Sequence, residues 1–364
     1  MSLELKGEWD NDLKCFSPKV LGGLKMKSGI IEKVGVIKIK ETPMPKIEKA
    51  NDVIIKVKYV GICGSDIHIY HGQNAFAKYP LVWGHEIVGH VHEVGSEVTS
   101  VKVGDRVVVE PFIACGKCYS CKNGRRNACQ ELKVFGAHID GGCSEYFKVP
   151  ESNAHILPDN VSLEDAVLIE PFTIGAQACY RGQVTKDDFV FVMGGGTIGL
   201  TVAENAKILG ARVILSDIVD EKLDFAKKHG AEFTINAMKE NVADRIFEIT
   251  GGMGANVVID SICNKKSFED ALTFVSNAGR VVELSFNTTP SEIAPILLSK
   301  GEVSIMGSRH QTNRFPVVID YVRDEKIVFE NFITAFYPLE DMEKAFKYIE
   351  QHLDKTRKVV IKLY

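Results

Sequence analysis

The chain has 364 residues, of which 45% are hydrophobic and 25% are charged, and its net charge is −4. This length favours two domains, because a single hydrophobic core stops growing at about 250–300 residues. The slightly acidic balance argues against a nucleic acid or an anionic membrane as partner. Neither a long apolar run nor a signal-peptide pattern is evident, so we expect a cytoplasmic globular protein.

The start of the chain does not share the pattern of the residues after it. The first strand-like segment, MKSGIIEK, begins at Met26, and we interpret residues 1–25 as an N-terminal extension. From about residue 26 to 155, short β-branched runs such as DVIIKVKYVGIC and GDRVVVEP alternate with turns that often contain glycine. This period-two pattern predicts an antiparallel, barrel-like β domain.

A first group of candidate metal ligands comes from GICGSDIHIYHG and VWGHEIVGH. Cys63 follows an apolar strand, and His85 and Glu86 follow a glycine. A thiolate, an imidazole and a carboxylate from separate segments suit a catalytic zinc, which keeps one coordination position open. Alone, Cys63 or His85 would be interpreted as a packing residue. Their combination with a four-cysteine segment and a nucleotide-binding pattern in the same chain favours a metal site.

The segment CGKCYSCKNGRRNAC holds four of the nine cysteines: Cys115, Cys118, Cys121 and Cys129. Two-residue gaps let successive thiolates converge on one tetrahedral ion, and the longer gap closes a small lobe around it. Four sulfur ligands predict a structural zinc, with an iron–sulfur cluster or unligated thiols as alternatives. A disulfide framework is disfavoured, because the cysteine count is odd and a secretory signal is not evident.

From about residue 188 the pattern changes to alternating strands and helices, beginning with DFVFVMG and continuing to GRVVELS. This alternation predicts a parallel, doubly wound sheet. The final segments, NFITAFYPLEDMEKAFKYIEQ and RKVVIKLY, predict a strand, a helix and a strand. We expect them to return and pack on the first domain.

The turn GGGTIG follows the first strand of this region and opens a helix, as the dinucleotide-binding fingerprint requires. The cofactor-binding residues predicted at the turn are Gly194, Gly196, Thr197, Ile198 and Gly199. Asp217 ends the next strand, where a carboxylate accepts hydrogen bonds from the ribose hydroxyls and repels a 2′-phosphate. The turn therefore predicts a dinucleotide cofactor, with NAD favoured over NADP.

Together these motifs resemble the zinc-dependent medium-chain dehydrogenase family over nearly all of residues 26–364. The resemblance rests on GHEIVGHVHEVG, on the four-cysteine segment, and on GGGTIG with Asp217. It implies an α/β fold with a Rossmann domain, built on a doubly wound parallel sheet, and a GroES-like β-barrel catalytic domain. The expected boundaries are 26–170 and 312–364 for the catalytic domain and 171–311 for the NAD-binding domain.

Within that family, AVLIEPFTIGAQA resembles the polyol and sugar-acid branch. Glu170 stands where alcohol dehydrogenases place a third cysteine ligand. The resemblance implies a catalytic zinc held by Cys63 and His85, with Glu86 and Glu170 sharing the carboxylate role. Which carboxylate binds the metal directly stays open. The resemblance also implies a homodimer or homotetramer.

The resemblance further assigns proton-transfer roles. Ser65 accepts the proton of the substrate hydroxyl and His68 relays it outward, or Glu170 carries the proton instead. Alternatively, Ser65 is only a turn residue and His68 is only a surface histidine, and neither transfers a proton. Lys222, five residues after Asp217, matches a position that contacts the adenosine ribose, or is an exposed helix lysine.

The segments CGSDIHIYHGQNAFAKYPLVWGHE and SRHQTNRFPVVIDY are similar to a bacterial group that contains L-galactonate dehydrogenases. A substrate carboxylate needs a cationic partner, for which Arg309 is the first candidate and Arg314 the second, since guanidinium binds carboxylate bidentately. We expect NAD-dependent oxidation of a secondary hydroxyl of a sugar acid. The alternatives are a polyol such as sorbitol or xylitol and, more distantly, a regulator that binds zinc and nucleotide without turnover.

Overall fold

The computed structural model describes residues 24–364, so the predicted extension, residues 1–25, lies almost wholly outside the described residues. The strands are β1 (Lys25–Lys33), β2 (Val36–Pro43), β3 (Asp52–Ile62), β4 (Leu81–Val82), β5 (Glu86–Val94), β6 (Arg106–Val109), β7 (Phe112–Ile113), β8 (Lys133–Val134), β9 (Tyr146–Pro150), β10 (Ala154–Ile156), β11 (Phe189–Met193), β12 (Arg212–Asp217), β13 (Phe233–Asn236), β14 (Ala255–Asp260), β15 (Val275–Glu283), β16 (Ser304–Gly307), β17 (Ile333–Pro338) and β18 (Lys358–Lys362).

The helices lie mainly in the second half of the chain. They are α1 (Gly64–Tyr70), α2 (Tyr119–Lys122), α3 (Leu163–Ala166), α4 (Ile169–Arg181), α5 (Thr197–Ile208), α6 (Asp220–Lys228), α7 (Val242–Ile249), α8 (Lys265–Phe274), α9 (Ile296–Ser299), α10 (Phe315–Arg323) and α11 (Met342–Gln351). None of the helices within residues 24–364 is both long and apolar enough to cross a membrane.

A seven-stranded sheet forms the frame of the first domain, in the order β10–β6–β5–β3–β18–β17, with β9 paired to the first half of β3. Strand β3 is almost wholly buried, and it pairs antiparallel with β5 on one side and with β18 on the other. The register places the end of β3 beside the starts of β5 and β18, because Gly61 faces Glu86 and Ile62 faces Val359. Residues distant in sequence therefore meet at one edge of the sheet.

The second sheet has six strands in the order β13–β12–β11–β14–β15–β16, and every pair is parallel. Parallel strands joined through helices form the doubly wound arrangement, in which ligands bind at the carboxyl ends where the strand order reverses. Here the reversal lies between β11 and β14, beside Met193 and Asp260. The predicted fold class, a Rossmann domain with a GroES-like domain, is confirmed.

One apolar cluster connects the two sheets. It includes Tyr59 of β3, Phe172 of α4, Val190 of β11 and Phe315 of α10, all of them buried. A shared close-packed core holds the two sheets in a defined relative position. The strands β17 and β18 join the sheet of β3, as expected for the tail, while the domain boundaries themselves stay predictions.

Candidate active site

Two strand ends position the first metal-ligand candidates. Cys63 directly follows β3 and precedes α1, and Glu86 begins β5 immediately after His85. The sulfur of Cys63 and one ligand atom each of His85 and Glu86 all lie within 4.8 Å of one another. The register of β3 with β5 therefore brings together the three candidate residues from two segments.

Asp66, which the sequence analysis missed, orients two of these residues. Its Oδ2 accepts a hydrogen bond from the backbone N–H of Cys63 at 2.8 Å, and its Oδ1 lies 3.5 Å from Nδ1 of His85. Burial of His85 disfavours the imidazolium, but the charge of Asp66 outweighs it and raises the pKa of His85 well above its usual value. A carboxylate behind a ligating histidine fixes the ring orientation and raises its basicity.

Lys358, the first residue of β18, was also missed. Its Nζ donates to Glu86 Oε1 at 2.5 Å and to the carbonyl of Ile62 at 3.3 Å, and both charged side chains are buried. Burial disfavours the ammonium, but Glu86 and Cys63 outweigh it and raise the pKa of Lys358. The lysine therefore places a positive charge directly beside the ligand group.

The second oxygen of Glu86 bears on whether the group fits a zinc ion. This atom, Oε2, is buried and has no hydrogen-bond partner among residues 24–364. A buried carboxylate oxygen needs a compensating partner, and sulfur, nitrogen and oxygen donors are the set that zinc prefers. These residues therefore fit a zinc ion.

Glu170 lies in the first turn of α4 and is buried. Burial raises its pKa to about 7; the charges of Glu86 and Asp66 add to the rise, while those of His85 and Lys358 oppose it. Glu170 is not one of the three residues whose ligand atoms lie within 4.8 Å of one another. The charges of His85 and Glu86 nevertheless act on Glu170, and its carboxyl group can hold a proton near neutral pH.

The two relay candidates lie on α1, one helical turn apart. Ser65 is half-buried, whereas His68 is exposed and its Nδ1 lies 2.7 Å from Oε1 of Gln73. Residues three apart share one face of a helix. The pair therefore extends from the buried edge of the site toward solvent.

The four-cysteine lobe is separate from this group. The sulfurs of Cys115, Cys118, Cys121 and Cys129 all lie within 4.8 Å of one another. Backbone N–H groups of Cys115 and Glu131 each donate to the sulfur of Cys129 at 3.3 Å. Amide donors stabilise thiolate sulfur, and a compact set of four sulfurs is the ligand set of a structural zinc.

The glycine turn has the geometry that a dinucleotide requires. Gly194 has φ +96°, in the left-handed region that favours glycine. A Cβ at Gly199 would lie 1.9 Å from the carbonyl oxygen of Gly194, so only glycine allows α5 to pack this closely. Gly196 precedes the first residue of α5, Thr197, whose hydroxyl donates to the carbonyl of Arg357. Ile198 follows in the same turn of α5 and packs on the shared apolar core.

Asp217 ends β12 directly beside that turn. Its Oδ2 accepts from the backbone N–H of Gly195 at 2.7 Å, and its Oδ1 accepts from the backbone N–H groups of Ile218 and Val219. The Cβ of Lys222 lies 3.3 Å from the position that a Cβ at Gly195 would occupy. Both predicted ribose-contacting residues are therefore adjacent to the glycine turn.

The two arginine candidates differ in their environments. The Nε of Arg309 is buried and has no hydrogen-bond partner within the described part of the chain. Arg314, by contrast, donates from Nε to the carbonyl of Thr312 at 3.0 Å, and its guanidinium stacks 4.4 Å from the ring centre of Tyr180. Arg314 is thus already engaged, whereas Arg309 keeps a donor available.

Arg309 also shares a neighbour with the metal-ligand group. Burial lowers the pKa of His310 to about 3, and the charges of Arg309 and His85 lower it further. Burial and Arg309 also lower the pKa of His138. The charges of Arg309 and His85 therefore both reach the imidazole of His310.

Comparison with known proteins identifies the family. The family of the alcohol dehydrogenase GroES-like domain matches residues 49–159, and the zinc-binding dehydrogenase family matches residues 197–324. The chain is 41% identical over 338 residues to the starvation-sensing protein RspB of Escherichia coli K12, covering 92% of this chain and 99% of RspB. It is 33% identical over 344 residues to the sorbitol dehydrogenase of Bacillus subtilis 168, covering 92% and 97% of the two chains.

The fold comparison agrees with this result. A crystal structure described as a short chain alcohol dehydrogenase (rspB) from Escherichia coli CFT073, in complex with NADH, has a TM-score of 0.89 at 40% identity. The match covers 94% of this chain and 100% of that chain. The chain therefore belongs to the zinc-type medium-chain alcohol dehydrogenase superfamily, in its polyol and sugar-acid branch. The predicted family, enzyme class, and zinc and nicotinamide cofactors are confirmed.

Proposed function

We propose that the protein oxidises a secondary hydroxyl of a sugar acid, such as an L-galactonate-like hexonate, to a ketone, with hydride transfer to NAD. The observation that carries this proposal is the buried Nε of Arg309, which has no hydrogen-bond partner among residues 24–364. A buried donor without a partner costs free energy, and a substrate carboxylate would satisfy it with a charge-assisted bond.

The position of Arg309 supports the same substrate class. His310 lies within electrostatic reach of both Arg309 and His85. A substrate that places its hydroxyl at the metal-ligand group and its carboxylate at Arg309 would lie across His310. The depressed pKa keeps the imidazole of His310 neutral. A neutral imidazole can donate a hydrogen bond to a sugar hydroxyl or accept one from it without adding charge.

The roles of the remaining residues follow from their burial and charge. When bound by Cys63 and His85, zinc supplies the Lewis acidity that lowers the pKa of a hydroxyl. Ser65 and His68 provide a route from the buried edge of the site to solvent. Glu170, with a pKa of about 7, is suited to hold or release a proton in the same pH range.

The test measures NADH formation from NAD on a panel of hexonates and polyols, with wild type, Arg309→Gln and Arg314→Gln. We expect turnover of a hexonate, with its KM raised about 10- to 100-fold in Arg309→Gln, as loss of a charge-assisted bond predicts. Arg314→Gln is the matched control and should keep the wild-type KM. Turnover of polyols alone, unchanged by Arg309→Gln, would contradict the proposal.

A polyol dehydrogenase is the second candidate. It is favoured by the similarity to a sorbitol dehydrogenase and by Glu170 in place of a cysteine. This candidate predicts that sorbitol or xylitol is turned over at least as well as any hexonate. It shares the chemistry of the first candidate and differs only in the role of Arg309.

We also propose the organisation expected from the sequence. The catalytic domain comprises residues 26–170 and 312–364, which the pairing of β3 with β18 supports, and the NAD-binding domain comprises residues 171–311. The enzyme acts on a small molecule in the cytoplasm as a homodimer or homotetramer. Gel filtration with light scattering tests the assembly.

A further inference from the structure

Two carboxyl groups lie side by side at the carboxyl ends of β14 and β15. Asp260 and Glu283 are register partners in the parallel sheet, so their side chains leave the same face of neighbouring strands. We propose that Glu283 is a positioning residue for the dinucleotide and that it acts by holding the loop 261–264 against the glycine turn through Asp260. The proposal rests on dinucleotide binding at this turn and is independent of which substrate is oxidised.

Asp260 is the acceptor at the centre of this loop. It is fully buried, and its Oδ1 accepts from the backbone N–H groups of Ile262 at 2.9 Å and Cys263 at 3.2 Å. Its Oδ2 accepts from the hydroxyl of Ser267 at 2.6 Å, at the start of α8. The carboxylate therefore determines the backbone path between β14 and α8.

Glu283 meets this carboxylate with an oxygen that lacks a donor. Its Oε1 accepts from the backbone N–H of Ser285 at 2.8 Å, while its Oε2 is buried with no hydrogen-bond partner among residues 24–364. Two carboxyl oxygens can share a hydrogen bond only if one carries a proton. Because Asp260 already accepts three hydrogen bonds, we place the proton on Glu283, whose neutral carboxyl group would donate to Asp260.

A further contact closes the network into a ring. The hydroxyl of Ser285 donates to the carbonyl of Cys263 at 3.1 Å. The connection thus runs from Glu283 to Ser285, on to Cys263, and back through Asp260. Cys263 has φ +64°, a backbone conformation that residues with a side chain adopt only rarely.

The loop held by this ring lies directly on the glycine turn. The hydroxyl of Ser261 donates to the carbonyl of Met193 at 2.7 Å. The side chain of Ile262 comes within 3.1 Å of the position that a Cβ at Gly194 would occupy, and it is 47% exposed. An exposed isoleucine beside this turn presents an apolar surface to a dinucleotide bound there.

The network also predicts a pH dependence. Burial raises the pKa of Glu283 to about 7, and the charge of Asp260 adds to the rise. Among the described residues, Asp260 and the thiol of Cys263 are the titratable groups coupled to Glu283, and its register neighbour on β16 is Gly307. As pH rises through about 7, Glu283 loses its proton, the two carboxylates repel each other, and the loop loosens.

The test measures the Kd of NADH by fluorescence titration, without substrate, between about pH 6 and 9, which brackets this pKa. The variants are Glu283→Val, which removes the carboxyl group, and Glu283→Gln, which keeps a neutral donor. Glu302→Gln, an exposed change just before β16, is the control. Thermal melts of each variant verify folding.

We expect wild-type Kd to rise severalfold above pH 7, and Glu283→Gln to keep the low-pH affinity without that rise. Glu283→Val should raise Kd about tenfold at low pH, as loss of about one net hydrogen bond predicts. An unchanged Kd in Glu283→Val would overturn the proposal, as would a pH-dependent rise that persists in Glu283→Gln. Because no sugar substrate is used, failure here is distinguishable from failure of the proposed reaction.

Discussion

The ammonium of Lys358 lies 2.5 Å from Oε1 of Glu86, and both side chains are shielded from solvent. The two residues are 272 positions apart in the chain. The pairing compensates one oxygen of Glu86 and leaves Oε2 without a hydrogen-bond partner among residues 24–364, in the group that Cys63 and His85 complete. A buried carboxylate thus contributes to the ligand group without leaving its charge uncompensated.

Removing one partner of this pair should destabilise the protein. We expect Lys358→Met to lower the free energy of unfolding by about 3–5 kcal/mol, because it leaves a buried carboxylate unpaired. Adding Glu86→Gln should recover part of that loss. Lys362→Met, an exposed change on the same strand, should stay within about 0.5 kcal/mol of wild type. Urea denaturation of the wild type, the single variants and the double variant measures each free energy of unfolding, and the double-mutant cycle gives the interaction energy of the pair.

The four-cysteine lobe predicts a metal stoichiometry. Cys118→Ala removes one of four sulfurs from the lobe and leaves Cys63 and His85 untouched. We expect zinc content, measured by mass spectrometry of purified protein, to fall by one ion per chain relative to wild type. Cys179→Ala, a buried change outside both groups, should retain the wild-type content. Equal zinc in Cys118→Ala and wild type would mean that the lobe does not hold an ion.

Asp217 predicts the choice of cofactor. Asp217→Ser removes the carboxylate that repels a 2′-phosphate and also the acceptor for the backbone N–H of Gly195. We expect the preference for NAD over NADP, expressed as a ratio of kcat/KM values, to fall at least about tenfold. Asp224→Ser on the exposed face of α6 is the control. If Asp217→Ser leaves the ratio of kcat/KM for NAD and NADP unchanged, then Asp217 does not determine the choice of cofactor.

His310 predicts a loss of stability in acid. Its folded-state pKa of about 3 lies below the ordinary value of 6.5, so the unfolded chain binds the proton more tightly. Stability is therefore fully present above pH 6.5 and is lost as pH falls toward 3. Between pH 7.5 and 5, this group should contribute about 2 kcal/mol of that loss.

The measurement compares the free energy of unfolding of wild type, His310→Gln and His92→Gln at these two pH values. His310→Gln should lose less stability in acid than wild type. His92 is exposed, and its substitution should leave the pH dependence as in wild type. If the free energy of unfolding changes equally between the two pH values in all three proteins, then His310 is not protected from protonation in the folded state.

Much of the site was predictable because its chemistry is encoded at short range. The two-residue gaps between Cys115, Cys118 and Cys121 limit the sulfurs to one small volume, whatever surrounds them. The glycine turn is equally local, since Gly194 and Gly199 lie within one strand-to-helix connection. The strand and helix patterns likewise follow from periodicities of two and 3.6 residues.

The sequence by itself therefore determined the family, the two-sheet architecture, and most of the candidate ligand and cofactor residues. The tertiary structure decided which charges compensate one another, namely Lys358 with Glu86 and Asp66 with His85, and which like charges lie together, namely Glu283 with Asp260. It also distinguished Arg309, whose Nε has no hydrogen-bond partner in the described part of the chain, from Arg314, which is engaged with Tyr180. These relationships depend on strand order, register and burial, because electrostatic strength in a protein is set by distance and local solvent exclusion rather than by sequence spacing.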